Sequence, residues 1–432
     1  MSKVATPQLL DRTCSYETTE SSSGPSAGAV LLSEFSDGRT LQPIYEIIHA
    51  QYSATISDET TAAQIAANYF RTVHLWFPIL DPTHHSEQLS HPWNLQWPGF
   101  LVLSMCMVLV NALPVDGDLS GETIALYTAL KASIGLIDST GELTLEMIQA
   151  RLLIAVFETG NGLHQAAYLT MGTTVRAALA AGLDNEQLDP ESEKRPDSKQ
   201  KRRVWSGLLI LDRYVVLQMG KPGSQIHAST PRAGLTSLAG DVQEKSMLAS
   251  NSGFITLEHA SEMLGGVLAQ VVDANSERKL NSTENLHLLS NLKSLKALCN
   301  GRAASEDASY CAAAAIALLL LIKSWIKAEG SNFGEHPTES HSALAAAVED
   351  IVSETRVFEQ EFPHPNSEAV PIFIIHPIYQ AATLFRDLLR HTHHLDATTT
   401  MDILNRKLER LGQRWLAAGR YSEQLTGGTR GG

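Results

Sequence analysis

Apolar residues in this chain recur at every third or fourth position, in segment after segment, and nowhere alternate convincingly with polar ones. That period lines up one face of an α-helix, whereas a half-buried strand needs a period of two. Val204, Leu208, Leu211 and Val215 form one such stripe; Met401, Leu404, Leu408, Leu411 and Trp415 form another. Phe373, Ile374 and Ile375 are too short a run to build a sheet. Composition points the same way: 44% of residues are hydrophobic but only 6% aromatic, and the abundant Ala and Leu lose little entropy in a helix. The expected fold is all-α, a large multi-helix, bundle-like domain. A length of 432 residues allows one large domain or two closely packed ones.

Breakers divide the chain. Residues 1–40 are rich in Ser, Thr and Gly and read as a disordered tail, 41–423 as the helical domain, and 424–432 as a Gly-rich disordered tail. Helices are expected at 58–76, capped by Ser57 or Asp58 and ended by Pro78, at 100–113, and at 122–136. A helix pair follows: 145–158, capped by Thr144, turns through Gly160 and Gly162 into 163–181, where Gly182 fits the left-handed position after a helix end. The charged stretch 184–201 reads as a surface loop before a helix at 202–219. Further helices are expected at 257–273, 284–299, 304–327, 340–361, 377–390 and 398–418. The two most apolar runs, 100–110 and 312–322, fall short of the ~20 residues that a membrane span needs and read as buried helices.

The formal net charge is -14. Non-specific affinity for DNA comes mostly from Lys and Arg neutralising phosphates, so an acidic chain is not expected to bind DNA unaided. Any nuclear role then needs a tethering partner. Cys14, Cys106, Cys299 and Cys311 include no C-x₂-C pair, and read as reduced, mostly buried thiols. The first residues carry no apolar stretch of the kind a signal peptide needs.

Four blocks then take on meaning by their order. Tyr69-Phe70 with Val73-His74 and Pro78-Ile79-Leu80 comes first. Leu152-Leu153-Ile154-Ala155-Val156-Phe157-Glu158, then Arg176-Ala177-Ala178 and Ala181-Gly182-Leu183, comes second. Lys201-Arg202-Arg203-Val204-Trp205, Leu211-Asp212-Arg213 and Gly220-Lys221-Pro222 form the third; Arg414-Trp415 with Ala418 and Tyr421 forms the last. Together they resemble the regulatory, or middle homology, region of fungal zinc-cluster transcription factors. The resemblance spans 69–421; each block alone is little more than a helix pattern, and the ordered set is specific. It implies an all-α regulatory fold, a role in transcription control, and a structural part for Arg203, Trp205, Asp212, Arg213 and Trp415. Members of that family usually carry a C-x₂-C-x₆-C cluster holding two zinc ions. Cys14 is alone in the first hundred residues, and tetrahedral zinc needs four ligands per ion, so no zinc cluster stands in this sequence. A regulator without its own DNA reader and a gene model that starts too late both fit.

Candidate sites are few. Lys194, Arg195, Lys199, Lys201, Arg202 and Arg203 form the one basic cluster, read either as a nuclear-localisation patch or as a solvated loop and first helical turn. Asp212 and Arg213 are neighbours and do not face each other on a helix; pairing with other helices in a buried ion pair is expected. His391, His393 and His394 lie near a helix end and His84 and His85 in a loop, without the carboxylate spacing of a zinc site. No D-D pair, nucleophile elbow, Walker motif or dinucleotide fingerprint is present. No catalytic residue, metal or cofactor is therefore expected. The expected function is that of a nuclear transcriptional regulator, of a metabolic or secondary-metabolite gene cluster as the resemblance implies, working through a DNA-bound factor or itself. A small-molecule effector fits a helical core. The alternative is a helical enzyme or small-molecule-binding protein that has recruited the fold.

Overall fold

The structure, a computed structural model, describes residues 42–89, 98–184, 198–219, 257–258, 260–262, 264–265, 368–391 and 397–427. All of them beyond Pro43 lie in one compact unit, Ile44–Gly432. The helices expected at 284–299, 304–327 and 340–361 lie outside the described residues. Among the described residues the fold is all-α, with no strand and one isolated bridge between Val115 and Asp118.

The chain order is α1 (Gln42–Thr55), α2 (Glu59–Arg71), α3 (Pro82–Leu89), α4 (Pro98–Asn111), α5 (Gly121–Thr140), α6 (Leu145–Gly160), α7 (His164–Ala180), α8 (Ser198–Gln218), α9 (Ile375–His391), α10 (Ala397–Gly412) and α11 (Leu416–Gly427). The short pieces described between 257 and 265 are also helical, within the stretch expected there.

Local chemistry explains most boundaries. The Asp58 carboxylate accepts from Thr61 N at 2.7 Å and caps α2. Thr144 accepts from Met147 N and caps α6. Gly182 has φ 71°, and the amides of Gly182 and Leu183 close back on Leu179 and Ala178. Where the structure departs from the pattern, a side chain is responsible. α2 stops at Arg71 rather than at Pro78, because the Thr72 hydroxyl donates to Asn68 O and contacts Asn111 Oδ1, both at 2.7 Å, and the chain tightens into a 3₁₀ turn at Val73–Leu75. His84 and His85 sit on the short helix α3, not in a loop, with Asp81 accepting from the amides of Thr83 and His84. The single stripe expected at 398–418 is two helices. α10 ends at Gly412, whose Cα lies so near Gly419 that a Cβ there would stand 3.0 Å from its backbone.

α6 is the centre. Every residue from Met147 to Gly160 is buried, where a single apolar face was expected. It packs against α4, α7 and α8 and touches α11 and the 3₁₀ turn Ile372–Ile374. Three of its polar side chains have internal partners: Gln149 donates to Ile79 O at 2.9 Å, Arg151 pairs with Asp138, and Glu158 accepts from Lys131 Nζ at 3.0 Å and Tyr127 Oη at 2.7 Å. α7 covers α8, while α9, α10 and α11 pack on one another.

Candidate functional site

α8 begins at Ser198, so Lys199 and Lys201 are helical rather than part of the expected loop, and Arg202 and Arg203 are helical as expected; Lys194 and Arg195 lie outside the described residues. Lys, Gln and Arg are good helix formers, and a run of charge is not by itself a loop. Ser198 is buried under this first turn, Lys199 is exposed, and Lys201, Arg202 and Arg203 are half-buried and engaged with neighbours. Arg203 stands close enough to His74 to help burial hold that imidazole down, to about 4.

Further along α8, Trp205 is buried, and Gly207 lets Ile79 and Phe77 approach: a Cβ there would meet Ile79 Cγ2 at 2.6 Å. That contact joins the Phe77-Pro78-Ile79-Leu80 segment to α8. Asp212 is buried. Arg213 donates to Ser261 Oγ at 2.9 Å, Ser206 donates to Glu258 Oε1 at 2.5 Å, and Gly265 leaves room for the guanidinium. Burial lowers the Arg213 pKa, opposed by Glu262, Asp212 and Glu258. This polar seam fastens α8 to the 257–265 segment.

The other end of the chain is fastened by Arg414 and Trp415. Arg414 is buried between α10 and α11, and its donors reach Val110 O at 2.7 Å, Ala112 O at 3.2 Å and Glu368 O at 3.3 Å. Val110 and Ala112 lie at the C-terminal end of α4, where helix carbonyls lack partners and the helix dipole favours a cation. Burial pulls the Arg414 pKa down to about 10, against the pull of Glu368. The guanidinium carbon lies 3.7 Å over the Trp415 ring. Trp415 donates to Val370 O at 2.8 Å, and its ring fills the space left by Gly160, where a Cβ would fall inside it.

A third group joins four helices. His164 (α7), Tyr214 (α8), His376 and Tyr379 (α9) and Tyr421 (α11) meet edge-on or stacked, with Tyr379 and Tyr421 parallel at 4.1 Å. Tyr214 Oη donates to Ile372 O at 2.8 Å and lies 3.4 Å from His376 N. Burial, reinforced by His164, holds His376 neutral down to about 3. Helix periodicity singled out neither His376 nor His164; their signal is a polar residue on an otherwise apolar face, and His164 and Tyr214 lie more than a hundred and fifty residues from His376, Tyr379 and Tyr421.

The remaining candidates gain little. Cys106 is buried, and burial pushes its thiol up; Cys14, Cys299 and Cys311 lie outside the described residues. His85 is buried among Phe70 and Phe100, and desolvation lowers it to about 4. His391 ends α9, while His393 and His394 are not among the described residues. Among the described residues no three His, Cys, Asp or Glu are grouped to hold a metal ion, and no helix is long and apolar enough to cross a membrane.

Against known proteins, residues 66–293 match the model of the fungal specific transcription factor domain. The chain is also similar to Transcription factor BOA15 of Botryotinia fuckeliana (strain B05.10), at 31% identity over 149 residues, 34% of this chain and 79% of that protein.

Proposed function

We infer, because the chain belongs to the fungal specific transcription factor domain family, that it controls transcription in the nucleus through protein contacts made by its helical domain. Family membership makes it a fungal transcriptional regulator; the route and the targets are our reading. The route is a DNA-bound factor or a second copy of the chain. The observation that carries this is the combination of the family's helices with a net charge of -14 and no zinc-cluster cysteine pattern in the sequence. A polypeptide of that charge is repelled as a whole by the phosphate backbone, and non-specific DNA binding draws on Lys and Arg that neutralise phosphates.

The targets, on this reading, are genes of a metabolic or secondary-metabolite cluster, as the family resemblance suggests. Lys194, Arg195, Lys199, Lys201, Arg202 and Arg203 serve as the import signal, a role that the exposed Lys199 at the start of α8 supports. A small-molecule effector is taken up by the helical interior. The proposal is tested by deleting the gene and, separately, immunoprecipitating the tagged chain from cross-linked nuclei. Loss of a coordinated set of transcripts, with promoter recovery that disappears when a zinc-cluster factor is removed, is expected. An unchanged transcript profile, or a chain confined to the cytoplasm, contradicts it.

A further inference from the structure

Three of the six large apolar side chains exposed among the described residues fall in one short stretch between α4 and α5: Leu113 at 43%, Val115 at 58% and Ile124 at 48%. Scattered singly, such residues need no explanation; grouped, they mark a contact surface. The stretch is well held. Val115 N donates to Asp118 O at 2.8 Å, and Asp118 N donates back to Val115 O at 3.0 Å. Between them Asp116 and Gly117 adopt φ of 52° and 82°, which Asp and Gly tolerate in a tight turn. The Asp118 carboxylate then accepts from Leu119 N at 2.8 Å, Ser120 caps α5 by accepting from Thr123 N at 3.1 Å, and Ile124 N donates to Ser120 O at 3.0 Å. Leu119 packs against the core. These bonds fold the chain back on itself and keep Leu113, Val115 and Ile124 at one corner of the molecule. Apolar side chains fixed in solvent by a paired turn lose little backbone freedom when a partner covers them.

The rim of this corner has one sign. Asp116, Asp118 and Glu122 are exposed, and no Lys or Arg occurs between Arg71 and Lys131. The cations at the ends of that interval and on the packed elements are engaged: Arg71 stands 3.8 Å from Glu368, Lys131 3.0 Å from Glu158, and Arg414 is buried on the carbonyls of Val110 and Ala112. An apolar centre with an acidic rim complements an apolar stripe flanked by Lys and Arg. The backbone groups of Val115 and Asp118 are paired with each other, so an added strand finds no edge there. The three exposed side chains are aliphatic, so a Pro-rich segment finds no aromatic groove. The apolar face of a basic amphipathic helix remains as the segment that fits.

We propose that the corner formed by Leu113, Val115 and Ile124, rimmed by Asp116, Asp118 and Glu122, docks a basic amphipathic helix of the DNA-bound factor through which the chain acts. Charge complementarity selects that occupant over a second copy: a factor that holds DNA carries Lys and Arg for the phosphates, whereas a second copy brings a net charge of -14. The proposal rests on the reading of the chain as a regulator that works through such a factor, but the surface is measured on the purified full chain without any transcriptional readout. The chain is titrated at about 0.15 M salt against a labelled peptide with Leu at i, i+3, i+4 and i+7 and Lys elsewhere, followed by fluorescence anisotropy. The controls are a scrambled peptide of the same composition and one with Glu in place of Lys. Binding of the Leu–Lys peptide in about the micromolar range is expected, with the scramble about tenfold weaker and no binding of the Glu peptide. V115D/I124D weakens the Leu–Lys peptide about tenfold with an unchanged melting curve, as the loss of its apolar anchors implies. If that variant melts early, V115S/I124S carries the same decision. D116N/D118N/E122Q lowers both the affinity and its dependence on salt. L169D, at an exposed apolar residue of α7, leaves binding unchanged. The proposal is overturned if ordered and scrambled peptides bind alike, if the Val115 and Ile124 variants bind as tightly as the parent, or if L169D weakens binding as much as they do. It is also overturned if V115D/I124D dissolves a dimer of the chain, which assigns the corner to a second copy. A chain whose deletion silences transcripts but which ignores the peptide loses this surface and keeps its function.

Discussion

Arg414 shows what a single side chain contributes here. It satisfies carbonyls of α4 and of the Glu368 turn that are 302, 304 and 46 residues away in sequence. Arg414→Ala leaves those acceptors buried and uncovers the Trp415 ring. A loss of about 3 kcal/mol in denaturant unfolding is expected, with Arg414→Lys recovering only part, since an ammonium cannot reach three carbonyls in a fork. The buried histidines set a pH dependence. His74 and His85 are lowered to about 4 and His376 to about 3, while the unfolded chain protonates them near the usual histidine value. The unfolded state therefore binds more protons as pH falls, and stability is lost from about pH 6.5 downward. For His74 and His85 the loss reaches about 3 kcal/mol each by pH 4, converting their shifts at 1.36 kcal/mol per unit. Urea midpoints measured from pH 7.5 to 4 should fall steadily, and H74F/H85F should flatten that slope. Arg414 and His74 were legible as members of family blocks and His85 as a loop histidine, but not their partners, because their environments are built by distant segments.

At the level of elements, the sequence was most readable where the chemistry is local. The Thr144 cap, the Asp58 cap and the left-handed Gly182 each depend on residues within four positions. The start of α8 was not, because Lys199–Arg203 carry helix propensity and charge together and only the burial of Ser198 decides between helix and loop. The break between α10 and α11 hides in an unbroken stripe of apolar residues; Gly412 marks it, but only its approach to Gly419 gives it force. The α6–α11 contact is equally blind to periodicity. Gly160→Ala puts a methyl group into the Trp415 ring. Hydrogen exchange should then rise in α11 and at the end of α4 together, with about 1–3 kcal/mol of overall destabilisation. An unchanged exchange pattern would mean that Trp415 is not seated against α6. Removing one partner of a buried ion pair has a related effect: Lys131→Met strands the fully buried Glu158 carboxylate, and Glu158→Gln in the same chain should recover much of the loss.

For the whole molecule, fold class and family followed from helix periodicity and from four blocks in order, and both stand on the described helices and on the match over 66–293. Net charge also acts at this scale, through the summed field rather than any one residue. The basic start of α8 is a small exception within a net charge of -14. Its import role is checked by replacing Lys199 and Lys201 with Gln in a fluorescently tagged chain: cytoplasmic retention with an unchanged melting curve is expected, and full nuclear entry would assign those residues to the helix alone. Whether the chain reaches DNA only through a partner is read by fluorescence anisotropy of the purified 432-residue chain on duplex promoter DNA, titrated with salt. No sequence-selective binding at micromolar protein is expected, with promoter binding appearing only when a zinc-cluster factor is added. Nanomolar, sequence-selective binding by the isolated chain, weakening steeply with salt, would contradict it.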